Sequence, residues 1–344
     1  MADYIAETVF VTGATGFIAK HIIAELLRRG YTVRGTVRDP SRAAAVEAAL
    51  EKAGADTGRL SFAVGDLLSD EGWDEAMQGA THVMHTASPF PMEQPANPDD
   101  VIMPAREGTL RVLRSAHRNA VRRVVLTSST VAVMYPCEYE ADHVFSEDDF
   151  TDESLPGLTP YIRSKTSAEK AAWNFVQTTP GAPELTVINP GFVQGPALDG
   201  DLSTSLELYR LMARGAYPAA PRIRFPVCDV RDVAAAHAES LVRPQAAGER
   251  FIVARDETGL FALGRALAAE CPDLKSKIPK FQLPDMAVRA MAVFDKRLRT
   301  ILPELGRQKT YTSRKVTNYL GLSLRPGEEA VRDAIRSLRA LDLI

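Results

Sequence analysis

Apolar residues in this chain fall into two recurring patterns, short β-branched runs and stripes at helical spacing, and the two alternate from the first residues onward. The run at 8–12 (TVFVT) reads as a buried strand. From Phe17 the spacing turns helical, with Ile18, Ile22, Ile23, Leu26 and Leu27 on one face. Further strands are expected at 31–37, 60–64, 81–85, 124–128, 185–188 and 251–254. Helices are expected between them at 42–52 and 99–120, then from Tyr161, where Ala168, Ala172, Trp173 and Val176 continue an apolar face. An alanine-rich helix runs from Asp229 through Leu241. Residues 189–196 read as a turn-rich exit, and 197–226 show few fixed features. Ser203, Thr204 and Ser205 suit a helix N-cap. The segments 261–269, 285–300 and 328–341 read as helices without identifiable chemistry. Strands alternating with helices predict an α/β fold with a doubly wound parallel sheet.

The junction of the first strand and first helix carries the first chemical signal. Gly13, Gly16 and Ala19 follow the strand at intervals of three. A strand that passes through a small-residue turn into a helix aims free N–H groups and a positive dipole end at one point, which suits a pyrophosphate. Gly13 allows the turn, Gly16 leaves the backbone open to the phosphates, and Ala19 keeps the helix close to the strand.

The end of the second strand selects the nucleotide. The position where a carboxylate would hold a ribose 2′-OH falls on Val37, and Arg38 follows. A guanidinium binds a 2′-phosphate that a carboxylate would repel, so NADP(H) is favoured over NAD. Arg42 is a possible second phosphate contact. Asp39, in Asp-Pro-Ser, reads as a turn and cap. At the fourth strand's end, Thr86, Ala87 and Ser88 are small enough for a dinucleotide to cross the sheet. His85 reads as a strand-end packing residue rather than a base, and His82 as structural. The proline-rich loop from Phe90 to Pro98 is stiff and suited to border a substrate mouth.

Catalytic chemistry is concentrated in Tyr161-Ile162-Arg163-Ser164-Lys165. Four residues apart on a helix, Tyr161 and Lys165 share a face. An ammonium beside a phenol favours the phenolate and brings its pKa from ~10 toward neutrality. Tyr161 can then protonate a carbonyl oxygen as hydride reaches the carbon. Ser129, in the Ser128-Ser129-Thr130 run closing the fifth strand, would hold the same oxygen. Lys165 would also reach the nicotinamide ribose.

Composition narrows the class. The chain has 344 residues, 45% of them hydrophobic and 25% charged, enough for a substantial core. A net charge of −3 gives no electrostatic basis for nucleic-acid or membrane-surface binding. Cys137, Cys228 and Cys271 are scattered, form neither a disulfide framework nor a metal pattern, and fit a reducing cytoplasm. The acidic first residues show no signal peptide, and no apolar run is long enough to span a bilayer.

With TGATGFIA, GTVRDP, HTASP, YIRSK and Asn189-Pro190-Gly191 all in order, the chain resembles the extended short-chain dehydrogenase/reductases. Within them it is most similar to the dihydroflavonol reductase-like branch, which includes plant reductases and microbial aldehyde and ketone reductases. The resemblance spans essentially the full length and is densest through about residue 196. It implies a Rossmann domain at 1–190 plus about 225–255, with a smaller C-terminal substrate lobe at 191–224 and 256–344. It implies NADPH-dependent reduction of an aldehyde or ketone by Ser129, Tyr161 and Lys165, with no metal. It further implies that Asp66 and Leu67 border the adenine, although Asp66 equally suits a helix cap, and that backbone groups near Pro190 and Val193 fix the nicotinamide amide. The candidate cofactor contacts are thus Thr12, Gly13, Thr15, Gly16, Phe17, Ile18, Arg38, Asp66, Leu67, Thr86, Ala87, Ser88, Thr127, Tyr161, Lys165, Pro190 and Val193. The plant flavonoid branch has a polar Asn shortly after the serine run, where this chain has Val133 and Met134. That favours a more apolar carbonyl substrate, with Phe90, Met92, Met134, Tyr135 and Phe192 as candidate pocket walls. Two other readings share parts of these motifs: a nucleotide-sugar epimerase or dehydratase, against which Arg38 argues, and a non-catalytic dinucleotide sensor, against which the Tyr–Lys pair argues.

Overall fold

Strands that read as near-continuous β-branched runs must be buried on both faces, which requires helices above and below one sheet. The computed structural model, which describes residues 7–88, 97–138, 140 and 142–344, has this arrangement. Strands β1 (Thr8–Thr12), β2 (Thr32–Val37), β3 (Leu60–Val64), β4 (His82–His85) and β5 (Arg123–Thr127) alternate with helices α1 (Phe17–Arg28), α2 (Ala43–Lys52), α3 (Trp73–Met77) and α4 (Asp99–Arg118). Then come β6 (Val144–Phe145), α5 (Pro160–Thr178), β7 (Glu184–Pro190), β8 (Phe192–Gln194) and α6 (Thr204–Ala213). These lead to β9 (Arg224–Asp229), α7 (Val230–Val242), β10 (Arg250–Val253), β11 (Asp256–Gly259) and α8 (Leu260–Glu270). The last elements are α9 (Asp285–Met291), α10 (Lys296–Arg299), β12 (Thr310–Tyr311), α11 (Arg314–Leu320) and α12 (Gly327–Ala340).

The main sheet has seven parallel strands in the order β3-β2-β1-β4-β5-β7-β10, the doubly wound Rossmann arrangement expected from the sequence. Strand order reverses between β1 and β4, where Thr12 lies beside His85. In such sheets the crevice outside the carboxyl ends at this reversal is the natural ligand site. One face is covered by α1 and α7, whose Ile22, Ile23, Leu26, Val233 and Ala236 join the largest apolar cluster. On the other, α3, α4 and α5 bury Trp73, Leu113 and Ala172. The first cluster continues through Leu206 and Tyr209 of α6, Leu263 and Leu267 of α8 and Leu338 of α12. The C-terminal elements therefore share apolar packing with the sheet. Among the described residues no helix is long and apolar enough to cross a membrane.

Several segments differ from the sequence expectation. Asp39 does accept a hydrogen bond from the Ser41 amide, but it opens a 3₁₀ turn at Pro40–Arg42, and α2 starts only after it. The presumed exit at 189–196 is largely strand: Asn189 and Pro190 close β7, and Phe192–Gln194 is β8. Strand β8 joins β9 and β11 in a three-stranded sheet, and β6 pairs with β12. The helix expected at 285–300 is broken into α9 and α10. Met286, Val293 and Phe294 stand exposed there, and Val288 is the buried residue of α9, so little apolar contact supports a continuous helix. Ser203 occupies the N-cap position of α6 without capping it; its hydroxyl meets that of Ser205.

Gly191 is more than a turn former. A Cβ there would lie 2.1 Å from the Pro226 carbonyl oxygen, because β7 hands over to β8 with the β9 backbone pressed against it. Gly191→Ala cannot be accommodated without parting β8 from β9. We expect it to cost about 2–3 kcal/mol, read as a lower urea midpoint at unchanged slope.

Candidate active site

The glycine turn is built as the spacing requires. Gly13 has φ of +69°, and a Cβ on it would lie 3.0 Å from the Ala87 side chain, so the position admits glycine on both counts. Its amide donates to the Thr36 hydroxyl at 2.9 Å, tying the turn to β2. Gly16 occupies the N-cap of α1 in extended conformation and is exposed. No side chain caps this helix, and no acidic residue lies in its first turn. The positive end of α1 is thus left open at the β1/β4 crevice, which fits a bound pyrophosphate. Thr15 and Ile18 are half-buried beside it, while Phe17 is buried with its ring edge-on to His21.

Thr12 acts on protein rather than pointing at a ligand. Its hydroxyl accepts from the Thr86 and Ala87 amides at 3.1 and 3.0 Å, leaving its own proton for His85 Nδ1 at 2.9 Å. The Thr86 hydroxyl donates back to the Thr12 carbonyl at 2.5 Å. The His85 Nε2–H then faces the Thr109 hydroxyl at 3.3 Å. Burial lowers the His85 pKa to about 3, so this histidine is a neutral strut, as the packing reading expected.

Arg38, the residue expected to meet the 2′-phosphate, is exposed just past β2. Arg42 is paired with Asp201 at 2.8 Å, and Lys20 of α1 with Asp199, so the 199–201 segment lies across the start of α2. Asp66 caps no helix; its carboxylate accepts from the Leu68 amide at 3.0 Å in a local turn. Leu67 is buried, and its carbonyl accepts from Arg111.

Helix α5 starts where Thr159 caps the Ile162 amide and Pro160 takes the first helical position. This start aims Tyr161 and Lys165 at the carboxyl end of β5. The Tyr161 side chain is hydrogen-bonded to that of Ser129, so residues 32 apart in sequence meet as predicted. Lys165 Nζ approaches the Thr127 carbonyl at 3.5 Å. The electrostatics differ from expectation. Burial pushes the phenol above its ordinary value; the Ser129 hydrogen bond offsets part of this, and Lys165 does not bring it down. The ammonium is itself lowered to about 8 by burial, against the pull of Glu169. At neutral pH the phenol holds its proton, the form an acid needs. The Thr127 hydroxyl faces away, bound to His237 Nε2 at 2.7 Å, so only its carbonyl is on the cofactor side.

Sequence reasoning missed the residues behind these groups. Glu169, fully buried, accepts from Ser128 at 2.5 Å, Arg250 Nε at 2.6 Å and Asn189 at 2.9 Å. Asn189 also donates to the Ser129 carbonyl, and its own amide oxygen has no hydrogen-bond partner among the described residues. The available signal was spacing: Glu169 follows Lys165 by four, as Lys165 follows Tyr161.

The pocket-wall candidates are scattered. Met134 and Tyr135 are buried in a third apolar cluster, the Tyr135 hydroxyl donating to Glu304 at 2.6 Å. Phe192 is half-buried and stacked on Phe225 with centroids 4.5 Å apart. Pro190 is buried at the end of β7, and the Val193 carbonyl accepts from Ser205 at 2.6 Å. Phe90 and Met92 lie outside the described residues.

A family model described as the NAD dependent epimerase/dehydratase family matches residues 9–254. The chain belongs to that family. It is similar to cinnamoyl-CoA reductase CAD2 of Medicago truncatula, 33% identical over 97% of this chain and 96% of that one. It is also similar to ketoreductase azaE of Aspergillus niger, 32% identical over 97% of this chain and 98% of that one. Among solved structures it is similar to yeast methylglyoxal/isovaleraldehyde reductase Gre2 complexed with NADPH. That likeness has 27% identity, a TM-score of 0.79, and coverage of 98% of this chain and 100% of the yeast one. The resemblance to reductases of the extended short-chain class is thus borne out.

Burial holds four histidines neutral: His85 at about 3, and His21, His82 and His237 at about 4. Unfolded, each takes up a proton below its ordinary value near 6.5, whereas the folded chain cannot until about pH 4, or about 3 for His85. Stability is therefore unaffected by them above pH 6.5 and falls as pH drops from 6.5 toward 4. The loss is about 1.4 kcal/mol per pH unit for each histidine. Melting temperature followed against pH should fall steeply across that window, and His82→Asn should flatten the fall.

Proposed function

We propose that the protein is an NADP(H)-dependent carbonyl reductase that converts an aldehyde or ketone to an alcohol, reversibly. The observation that carries this is the Tyr161–Ser129 hydrogen bond, with Lys165 one helical turn on, at the carboxyl edge of the sheet beside the glycine turn. The Gre2 structure that this fold resembles holds NADPH, and the relatives described above are reductases.

When bound, NADPH supplies hydride. The turn from Gly13 to Ile18 would hold the pyrophosphate, Arg38 the 2′-phosphate, Asp66 and Leu67 the adenine edge, and Pro190 and Val193 the nicotinamide amide. On the substrate, the Ser129 hydroxyl orients the carbonyl oxygen and Tyr161 gives it a proton. Burial keeps the phenol protonated, the form this step uses. Lys165, charged at neutral pH, stands beside the reacting centre and holds the ribose. Residues 191–224 and 256–344 form the substrate-facing lobe. Val133 and Met134, apolar where the flavonoid branch carries Asn, favour an apolar aryl or alkyl carbonyl compound over a polyphenol. The three cysteines are free thiols, which supports a cytoplasmic setting.

The test is a spectrophotometric screen of NADPH and NADH oxidation over a panel of aldehydes and ketones. Tyr161→Phe should lower kcat by about 100-fold or more while NADPH still binds. A Phe variant as fast as the parent removes the mechanism. Arg38→Ala should raise KM for NADPH and leave NADH little changed, narrowing the preference by about tenfold. Equal use of both nucleotides by the parent would remove the role given to Arg38.

A further inference from the structure

Glu169 is 0% exposed, and a carboxylate in that setting is costly unless donors surround it. Here the donors come from four elements. Arg250 of β10 donates through Nε at 2.6 Å, Ser128 from the end of β5 at 2.5 Å, Asn189 of β7 at 2.9 Å, and Trp173 from the next turn of α5 at 3.4 Å. Arg250 is itself pinned by the Glu147 and Asp149 carbonyls at 2.8 and 2.6 Å and lies over the Phe150 ring. Asn189 passes the constraint on by donating to the Ser129 carbonyl at 3.2 Å. On α5, Tyr161, Lys165 and Glu169 are spaced by four and share one face.

We propose that Glu169 is the positioning residue of this site, the buried anion that locks the helix bearing Tyr161 and Lys165 to the strand end bearing Ser129. The inference rests on the reductase reading and deepens it. Glu169 does not touch substrate; it acts through Ser128, Asn189 and its own helix. It has a second, electrostatic effect, because it is the carboxylate that opposes the lowering of Lys165. The other titratable groups facing this pair are His85 from β4, held neutral, Tyr161 on the same helix, and Arg250 behind Glu169. Without the carboxylate, Lys165 loses its proton at lower pH.

The experiment uses the full chain, Glu169→Gln and Glu169→Asp, with Tyr161→Phe as control. The readouts are melting temperature, NADPH affinity by fluorescence titration, and the pH dependence of kcat. Glu169→Gln should bind NADPH nearly as the parent does, while kcat falls about 100-fold from the misplaced groups. Its high-pH limb of kcat should move down by about one unit, and Glu169→Asp, which restores the charge, should move it back. A lower melting temperature with kcat and the pH limb unchanged would mark a merely structural carboxylate and overturn the proposal. Should Glu169→Gln fail to fold, Ser128→Ala removes one donor and leaves the ion pair. It should lower kcat about tenfold with the pH limb in place, and an unchanged kcat there also overturns the proposal. Tyr161→Phe separates the two failures. If it is inactive while Glu169→Gln matches the parent, only the positioning role falls. If it keeps full activity, the reductase mechanism falls and the positioning role with it.

Discussion

A carboxylate with no exposure to water sits where the site's elements meet, and the architecture around the site follows from satisfying it. Its charge is balanced by one guanidinium and its lone pairs by donors from β5, β7 and α5. Replacing such a pair by packed apolar groups is often neutral for stability, so stability alone is a poor reason for its presence. Directionality is a better one. Apolar contacts tolerate a sliding helix, whereas hydrogen bonds between 2.5 and 2.9 Å from three strands do not. A phenol in the role proposed for Tyr161, meeting a carbonyl oxygen to within a fraction of an ångström, needs a helix that cannot slide.

The cofactor side of the crevice is held in a different way. There the close packing of Gly13 against Ala87 and the Thr12 hydroxyl bridge to the Thr86–Ala87 turn fix the two loops at the strand-order reversal. His85 completes the bridge, and its burial as a neutral ring lets it act as donor and acceptor at once. The Thr12, Thr86 and His85 side chains near the opening of α1 are thus bound to other protein groups, while the helix end carries no side-chain cap. The two halves are complementary: one leaves a positive dipole end open for an anion, and the other closes around an anion of its own.

Elements with strong periodicity were legible in the sequence. All seven strands of the main sheet, the glycine turn and the Ser129–Tyr161–Lys165 set stood out, because each rests on local spacing. The features that were not legible depend on partners far along the chain. β8 exists because Gly191 lets the Pro226 backbone approach, and nothing in NPGFVQGP announces Pro226. Arg250 lies 81 residues from Glu169, and its place beside that carboxylate comes from β10 pairing with β7. The lowering of the phenol by Lys165 was inferred from charge alone; burial, which the sequence does not report, reversed it.

The three successive hydroxyl residues at the end of β5 show how one strand serves both faces and the site. Side chains alternate along extended backbone, and Ser128, just past the strand, still donates its amide to the Ile188 carbonyl, so Thr127 and Ser128 point to opposite faces. Thr127 reaches His237 of α7 on one side, and Ser128 reaches Glu169 of α5 on the other. Ser129 lies two residues past Thr127, the last residue of the strand, capping the turn that follows, and is released from that alternation. Its hydroxyl can therefore turn toward Tyr161 on the same side as Ser128. A strand two residues longer would hold the third side chain in the alternating pattern, facing α7 with Thr127, and the phenol would lose its partner. The point at which β5 stops therefore decides which of three chemically similar hydroxyls can face Tyr161.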